Sequence, residues 1–582
     1  MDLFDVLTLI GGLCLFLFGM DIMGVSLEKR AGSSLKALLG KLTSGKLAGL
    51  ITGIGVTAVI QSSSATTVMV VGFVNSGIMT LRQAINVIMG ANIGTTVTAW
   101  ILSLAGIESS NFFVQLLKPT SFTPVLALIG IIMTMSAKAG KRRETGMILL
   151  GFATLMFGME TMSDAVAGLR EVPEFTSILT MFSNPVLGVL AGAILTAVIQ
   201  SSSASVGILQ ALSSTGAVTL GATIPIIMGQ NIGTCVTALL SSVGTNKNAR
   251  RAAVLHLMFN IIGTVVLLSV FCVVRIFLPL EFIEGEANAA SIAVIHSVFN
   301  ILCTLLLLPM TGLLERIACR IIPDGKEADK VVSLDERLMA TPPIAIDRCR
   351  AVTKEMADIS HTAVETAINC LFDYSEDGIK TVKELENEAD NYEDILGTYL
   401  VNLSAYSMSA HDRTETAQLL HAIGDFERIS DHAVNIAESA VELKDKEMKF
   451  SNEAISELKI ITAAVFDILA LAIRAFAEND ITLAARVEPL EQVVDRLKVK
   501  LRNRHIERMQ NGDCSIGAGF IWSDLLTNLE RISDHCSNVA GCVIEMAHSS
   551  LDLHEYLHTV KQNDPEYINL YNTYKQKYSI NE

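Results

Sequence analysis

The chain has 582 residues, half of them hydrophobic and only 18% charged, with a mean hydropathy of +0.45; so long and so sparsely charged a chain is not a single soluble domain. Residues 1–325 carry 18 Lys/Arg against 15 Asp/Glu, a net +3, whereas residues 326–582 carry 26 against 45, a net −19. The first part reads as membrane and the second as an acidic soluble domain, and the acidic excess excludes nucleic acid, whose phosphates need clustered Lys/Arg.

Taken in chain order, the first apolar run is Leu3–Val25. Asp2 and Asp5 stand where a cleaved leader would carry basic residues, so this run is expected to be a retained membrane span. Further runs long enough to cross a bilayer lie near 83–104, 112–136, 146–162, 221–243, 252–280 and 289–315. The stretches 47–76 and 186–216 are apolar too, but each is broken midway by Gln-Ser-Ser-Ser and is expected to be a re-entrant hairpin. The ten cysteines form no CxxC pair and read as small apolar core residues.

The runs are duplicated. TAVIQSSSA occupies both Thr57–Ala65 and Thr196–Ala204, MGANIGTTVTA at Met89–Ala99 answers MGQNIGTCVTA at Met228–Ala238, and Phe18-Gly19-Met20 answers Phe157-Gly158-Met159. Every pair is separated by the same 139 residues, so about 12–104 is repeated at about 151–243. Lys29, Arg30, Lys36, Lys41 and Lys46 follow the first span, while its counterpart loop carries Asp164, Glu171 and Glu174 against one Arg170. Glu108 follows the first NIGT element, whereas Lys247, Arg250 and Arg251 follow the second. By the positive-inside rule, equivalent loops lie on opposite faces, the repeats are inverted, and the second half of the chain is cytoplasmic.

Inverted repeats with discontinuous helices place a binding site where the repeats meet. The serines of Gln61-Ser62-Ser63-Ser64 and Gln200-Ser201-Ser202-Ser203 would each open a helix, offering free backbone N–H groups and hydroxyls to a compact anion without Lys or Arg. Asn92, Thr95 and Thr96, with Asn231 and Thr234, are expected to interrupt a second helix in each repeat and turn oxygens toward a hard cation. Ser, Thr and Gly also mark close helix packing in lipid, but four such motifs in a two-fold arrangement favour a site. Asp21 and Glu160 fall at span ends. His256 and His296, in matching HLMFN and HSVFN strings, read as packing or hydrogen-bonding residues rather than a proton relay.

The doubled QSSS with doubled NIGT resembles the type II sodium–phosphate cotransporter family, in its bacterial form with a PhoU-like tail, across 1–315. The resemblance implies that Gln61, Ser62, Ser63, Ser64, Asn92, Thr95, Thr96, Gln200, Ser201, Ser202, Ser203, Asn231 and Thr234 bind phosphate and sodium. Cys235 replaces the counterpart of Thr96, so a ligand role there is not symmetric.

Residues 326–344 read as a linker and 551–582 as a tail without assignable function. Between them, 345–550 show helical periodicity in six segments, predicting two three-helix bundles. Glu427-Arg428-Ile429-Ser430-Asp431-His432 recurs as Glu530-Arg531-Ile532-Ser533-Asp534-His535, and Glu386 and Asp390 are echoed by Glu491 and Asp495. Spacing of four places each carboxylate pair on one helix face, where a cation would offset the repulsion. Glu386, Asp390, Glu427, Asp431, Glu491, Asp495, Glu530 and Asp534 are thus expected to hold a divalent metal or iron, as PhoU resemblance also implies; His432 and His535 are weaker candidates.

The expectation is an all-α polytopic membrane protein of the cell membrane, with two inverted repeats, re-entrant hairpins and a cytoplasmic PhoU-like domain. Its expected activity is sodium-coupled phosphate transport by alternating access, in lipid, with room for a homo-oligomer. A membrane-bound phosphate sensor is the alternative. An enzyme is not expected: the serines lack a paired His and Asp within the repeat, and no GxxxxGK[ST] loop occurs.

Overall fold

The computed structural model describes residues 3–40, 45–106, 118–137, 140–168, 181–182, 184–277, 281–323, 334–406, 408–512, 514–548 and 565–580. Apart from one isolated bridge between Thr219 and Glu286, the described residues form helices, turns and loops only. The chain divides into two compact units, residues 1–329 with 335–341, and residues 330–334 with 342–582.

The first unit contains α1 (Leu3–Gly40), α2 (Lys46–Ile60), α3 (Ser63–Asn75), α4 (Leu81–Ser103), α5 (Pro119–Ser136), α6 (Lys141–Val166), α7 (Pro185–Ile199), α8 (Ser202–Ser213), α9 (Leu220–Ser241), α10 (Lys247–Phe277), α11 (Ala289–Leu307) and α12 (Thr311–Ile321). Among the described residues, seven helices are long and apolar enough to cross a membrane; six are here, with spans in α1, α4, α6, α9, α10 and α11. The run near 112–136 is described only from residue 118 and forms the shorter α5. The loops expected around Glu108, Glu171 and Glu174 lie outside the described residues.

Caps recur with the sequence repeat. Thr80 closes a capping box with Gln83 at the start of α4, and Thr219, 139 residues later, caps α9 through the Ala222 amide. Packing recurs as well. A Cβ at Gly19 of α1 would collide with the backbone of Leu155 in α6, and one at Gly158 with the backbone of Phe16. Only glycine lets α1 and α6 touch this closely, which is how apolar helices associate without a hydrophobic driving force in lipid.

The second unit contains α13 (Pro342–Phe372), α14 (Glu376–Leu403), α15 (Ala410–Asp445), α16 (Asn452–Glu478), α17 (Ile481–Ala484), α18 (Val487–Gln510), α19 (Ile516–His548) and α20 (Pro565–Lys577). α13, α14 and α15 pack as one three-helix group and α16, α18 and α19 as another, joined along α15 and α19. α16 is the seventh apolar helix; its buried Leu458, Ile461, Val465, Ile468, Leu469 and Phe476 supply this unit's core, where Phe476 meets Phe426 edge-on.

Candidate functional site

The two Gln-Ser-Ser-Ser segments break their helices in the same way. α2 ends with Gln61 at φ 59, and α7 ends with Gln200 at φ 58, each bonding its N–H back to Thr57 or Thr196 at 2.7 Å. Among the described residues only four non-glycines have positive φ, and two are these glutamines. A left-handed residue that is not Gly is costly and concentrates at functional sites. The reversal frees Ser62 and Ser201 to cap α3 and α8, their Oγ atoms accepting from Ala65 and Ala204 at 3.1 and 3.2 Å. Ser63 and Ser64, like Ser202 and Ser203, then lie in first turns whose N–H groups have no partner within the helix. The two helix starts meet: Ser63 Oγ and Ser202 Oγ, equivalent atoms of the two repeats, are 3.4 Å apart and buried. No Lys or Arg occurs in Gln61–Ala65 or Gln200–Ala204. Two helix N-termini with serine hydroxyls present the donors that a neutral anion site needs.

The NIGT elements differ from expectation. α4 and α9 run through Asn92–Thr96 and Asn231–Cys235 without interruption. Thr95 and Thr234 donate to carbonyls one turn back at 2.9 Å, and Thr96 donates to Ile93 at 2.7 Å, so these hydroxyls satisfy the helix they belong to. The glycines are there for approach. A Cβ at Gly94 would lie 2.8 Å from the Ile54 carbonyl, and one at Gly233 would meet the Ala193 carbonyl. They let α2 cross α4, and α7 cross α9, backbone to backbone, and so fix where each QSSS break falls.

The asparagines turn toward α10. Asn92 donates to Asn260 Oδ1 at 3.2 Å and faces His256 Nε2 with its own oxygen at 3.3 Å. Asn260 also donates to Cys235 Sγ at 3.2 Å. Asn231 donates only to Ile227, one turn back, at 2.9 Å.

Although the repeats match in sequence, their side chains are not equally engaged. Thr57 donates to Thr66 at 3.1 Å, and Thr98 donates to Gln61 Oε1 at 3.0 Å. The counterpart hydroxyls of Thr196, Ser205 and Thr237 are buried without a partner. Gln61 is buried and Gln200 exposed. α2 packs on α1, while α7 makes no comparable contact with α6 among the described residues. The sequence reading missed Thr98 and Asn260, although both sit in strings that recur (VTA, and the HxxFN pair).

In the second unit, Glu491, Asp495 and Asp534 bring one oxygen each within 4.8 Å of one another. Burial and the neighbouring carboxylates, Glu488 foremost, push Glu491 up to about 8, and burial with Glu530 and Asp495 raises Asp534. Glu530 is drawn aside by Lys498 at 2.9 Å. In the other half, burial and Asp431 push Glu427 up to about 7, and burial with Asp431 and Asp390 raises Glu386. The imidazoles point elsewhere, His432 Nδ1 to Asn528 at 2.9 Å and His535 Nδ1 to Asp425 at 2.8 Å, with the rings stacked at 5.7 Å. An all-oxygen donor set held close against its own repulsion fits a hard divalent cation or iron.

Residues 15–164 and 168–283 match the model of the Na+/Pi-cotransporter family. The chain belongs to this family. Residues 353–440 and 458–543 each match the PhoU domain, so this member carries a PhoU pair behind its membrane unit. The YjbB protein of Salmonella typhimurium, provisionally named for inorganic phosphate export, is 24% identical over 95% of this chain and 99% of its own. Human sodium-dependent phosphate transport protein 2B is 38% identical over 132 residues, 21% of this chain and 19% of its own. A PhoU homologue of Thermotoga maritima is 29% identical over 34% of this chain and 86% of its own. The chain is therefore a multi-pass membrane protein of a phosphate-transport family, not of an enzyme family.

Proposed function

We propose that this protein carries inorganic phosphate across the cell membrane coupled to sodium, by alternating access of a site between its two repeats. The observation that carries the reading is the 3.4 Å meeting of Ser63 and Ser202 at the start of two helices, in motifs that contain no Lys or Arg. Phosphate is held there by first-turn N–H groups and by the hydroxyls of Ser62, Ser63, Ser64, Ser201, Ser202 and Ser203, with Gln61 and Gln200 closing it from either repeat. Sodium enters beside the anion and offsets its charge, using oxygens of the QSSS and NIGT segments. Each sodium ion moving down a 100 mV potential contributes about 2.3 kcal/mol toward accumulation.

Inverted topology makes the exchange of facing direction a swap of roles between equivalent segments. The unequal engagement of Gln61 and Gln200 supports one such unequal state. The basic loops support a cytoplasmic PhoU pair, in which Glu491, Asp495 and Asp534 hold a divalent metal or iron and regulate transport. The test is flux in proteoliposomes under a sodium gradient against a matched potassium gradient. Phosphate binding without flux in either would replace transport by sensing.

A further inference from the structure

We infer that Asn260 of α10 and Asn300 of α11 are alternating positioning residues, each orienting the asparagine of one NIGT element in one facing direction of the transporter. The inference rests on the alternating-access reading. α10 and α11 carry the strings HLMFN and HSVFN, and the helices are placed equivalently: α10 packs on α9 and α4, α11 on α4 and α9.

On α10 the string is engaged. With the Asn92 amide donating to Asn260, the Asn92 oxygen is left to accept from His256 Nε2 at 3.3 Å, so both ends of the Asn92 carboxamide are held from α10. The Asn260 amide meanwhile reaches Cys235, so one side chain touches the NIGT element of each repeat. All four groups are buried. On α11 the string is idle. Asn300 donates to the His296 carbonyl at 2.9 Å, but its Oδ1 is buried without a partner.

A buried acceptor left unpaired is rare and unfavourable, and so is each buried orphan hydroxyl of Thr196, Ser205 and Thr237. All of these lie on the side whose counterparts are satisfied. A two-state protein with inverted repeats relieves them in its other state: Asn300 then accepts from Asn231 as Asn260 now accepts from Asn92, and Asn92 is released. The two bonds exclude each other because each belongs to one facing direction. Asn92 and Asn231 are accordingly oriented in turn, and neither is oriented twice.

The test uses the full chain in proteoliposomes carrying Gln200→Cys, with labelling by a membrane-impermeant thiol reagent. The same protein with Gln200 unchanged measures the background of the native cysteines. Adding Asn260→Ala removes the bond that marks the present state and is expected to slow labelling at position 200. Adding Asn300→Ala removes the bond of the opposite state and is expected to speed it. Each rate should move from the parent's by up to about tenfold, the loss of one hydrogen bond near 1.4 kcal/mol. His256→Gln, which keeps a donor for Asn92, should leave the rate near the parent and His256→Ala should not. Equal shifts in one direction, or no shift with either asparagine variant, would overturn the inference, as would His256→Ala behaving like His256→Gln. A collapsed variant is recognised by its gel-filtration profile, and the opposite-sign shift of its partner then decides. Labelling needs no flux, so a wild-type protein that transports nothing with sodium would sink the transport reading while these rates still judged the alternation.

Discussion

The two units build their candidate ion sites in opposite ways. The membrane unit surrounds its candidate anion site with neutral donors, Ser63 and Ser202 at helix starts, and keeps Lys and Arg out of the motif. The second unit crowds Glu491, Asp495 and Asp534 together and leaves their repulsion for a cation to relieve. The difference follows from duty. A carried ion must leave again, and dipoles bind without the depth of an unpaired buried charge. A resident ion is kept, and unneutralised carboxylates keep it.

The largest expected effect breaks the frame of the neutral site. Gly90→Leu drives a side chain into the Leu50 carbonyl and should leave little folded protein, read by yield and gel-filtration profile. Next come Gln61→Ala and Gln200→Ala, each expected to fold and to lose transport by at least about a hundredfold, two lost transition contacts' worth; full flux in both would remove the two-fold site.

The charged site is expected to answer to metal. Chelation of the full chain should lower the unfolding temperature of the PhoU pair, and Asp534→Asn should lose bound metal while keeping transport-unit stability. In chelator, Glu491 is protonated when folded up to about 8 and ionises near 4.5 when unfolded. Below 4.5 that advantage is whole, and it is lost as pH rises toward 8, so stability should fall across this window. Calorimetry that shows a rise would contradict it. The smallest effect is expected from Cys235→Thr, which copies Thr96 and keeps an acceptor for Asn260; transport should stay within about threefold.

The 139-residue period, the helical class and the six long helices of the second unit were legible because they reside in periodicity and identity, which a single chain displays. The NIGT segments were misread as helix breaks. Gly94 and Gly233 look alike whether they unwind a helix or admit a neighbour, and the neighbour's carbonyl comes from α2 or α7, known only once folded. The capture of Asn92 by residues 164 and 168 positions away was equally hidden. Least legible was the inequality of the repeats. TAVIQSSSA is the same nine residues twice, so nothing in it distinguishes a buried Gln61 from an exposed Gln200; conformation alone does. Glu530 is expected among the ligands because the repeat matches Glu427, and its 2.9 Å pairing with Lys498 on the neighbouring helix is a contact that no sequence spacing announces.

The most direct measurement is uptake of radiolabelled phosphate into proteoliposomes of the full chain, with an inward sodium gradient set against an equal potassium gradient. Uptake above the gradient-free level with sodium alone is the expected result. Equal uptake with either cation, or none with phosphate still bound, would contradict coupled transport at the Ser63–Ser202 site.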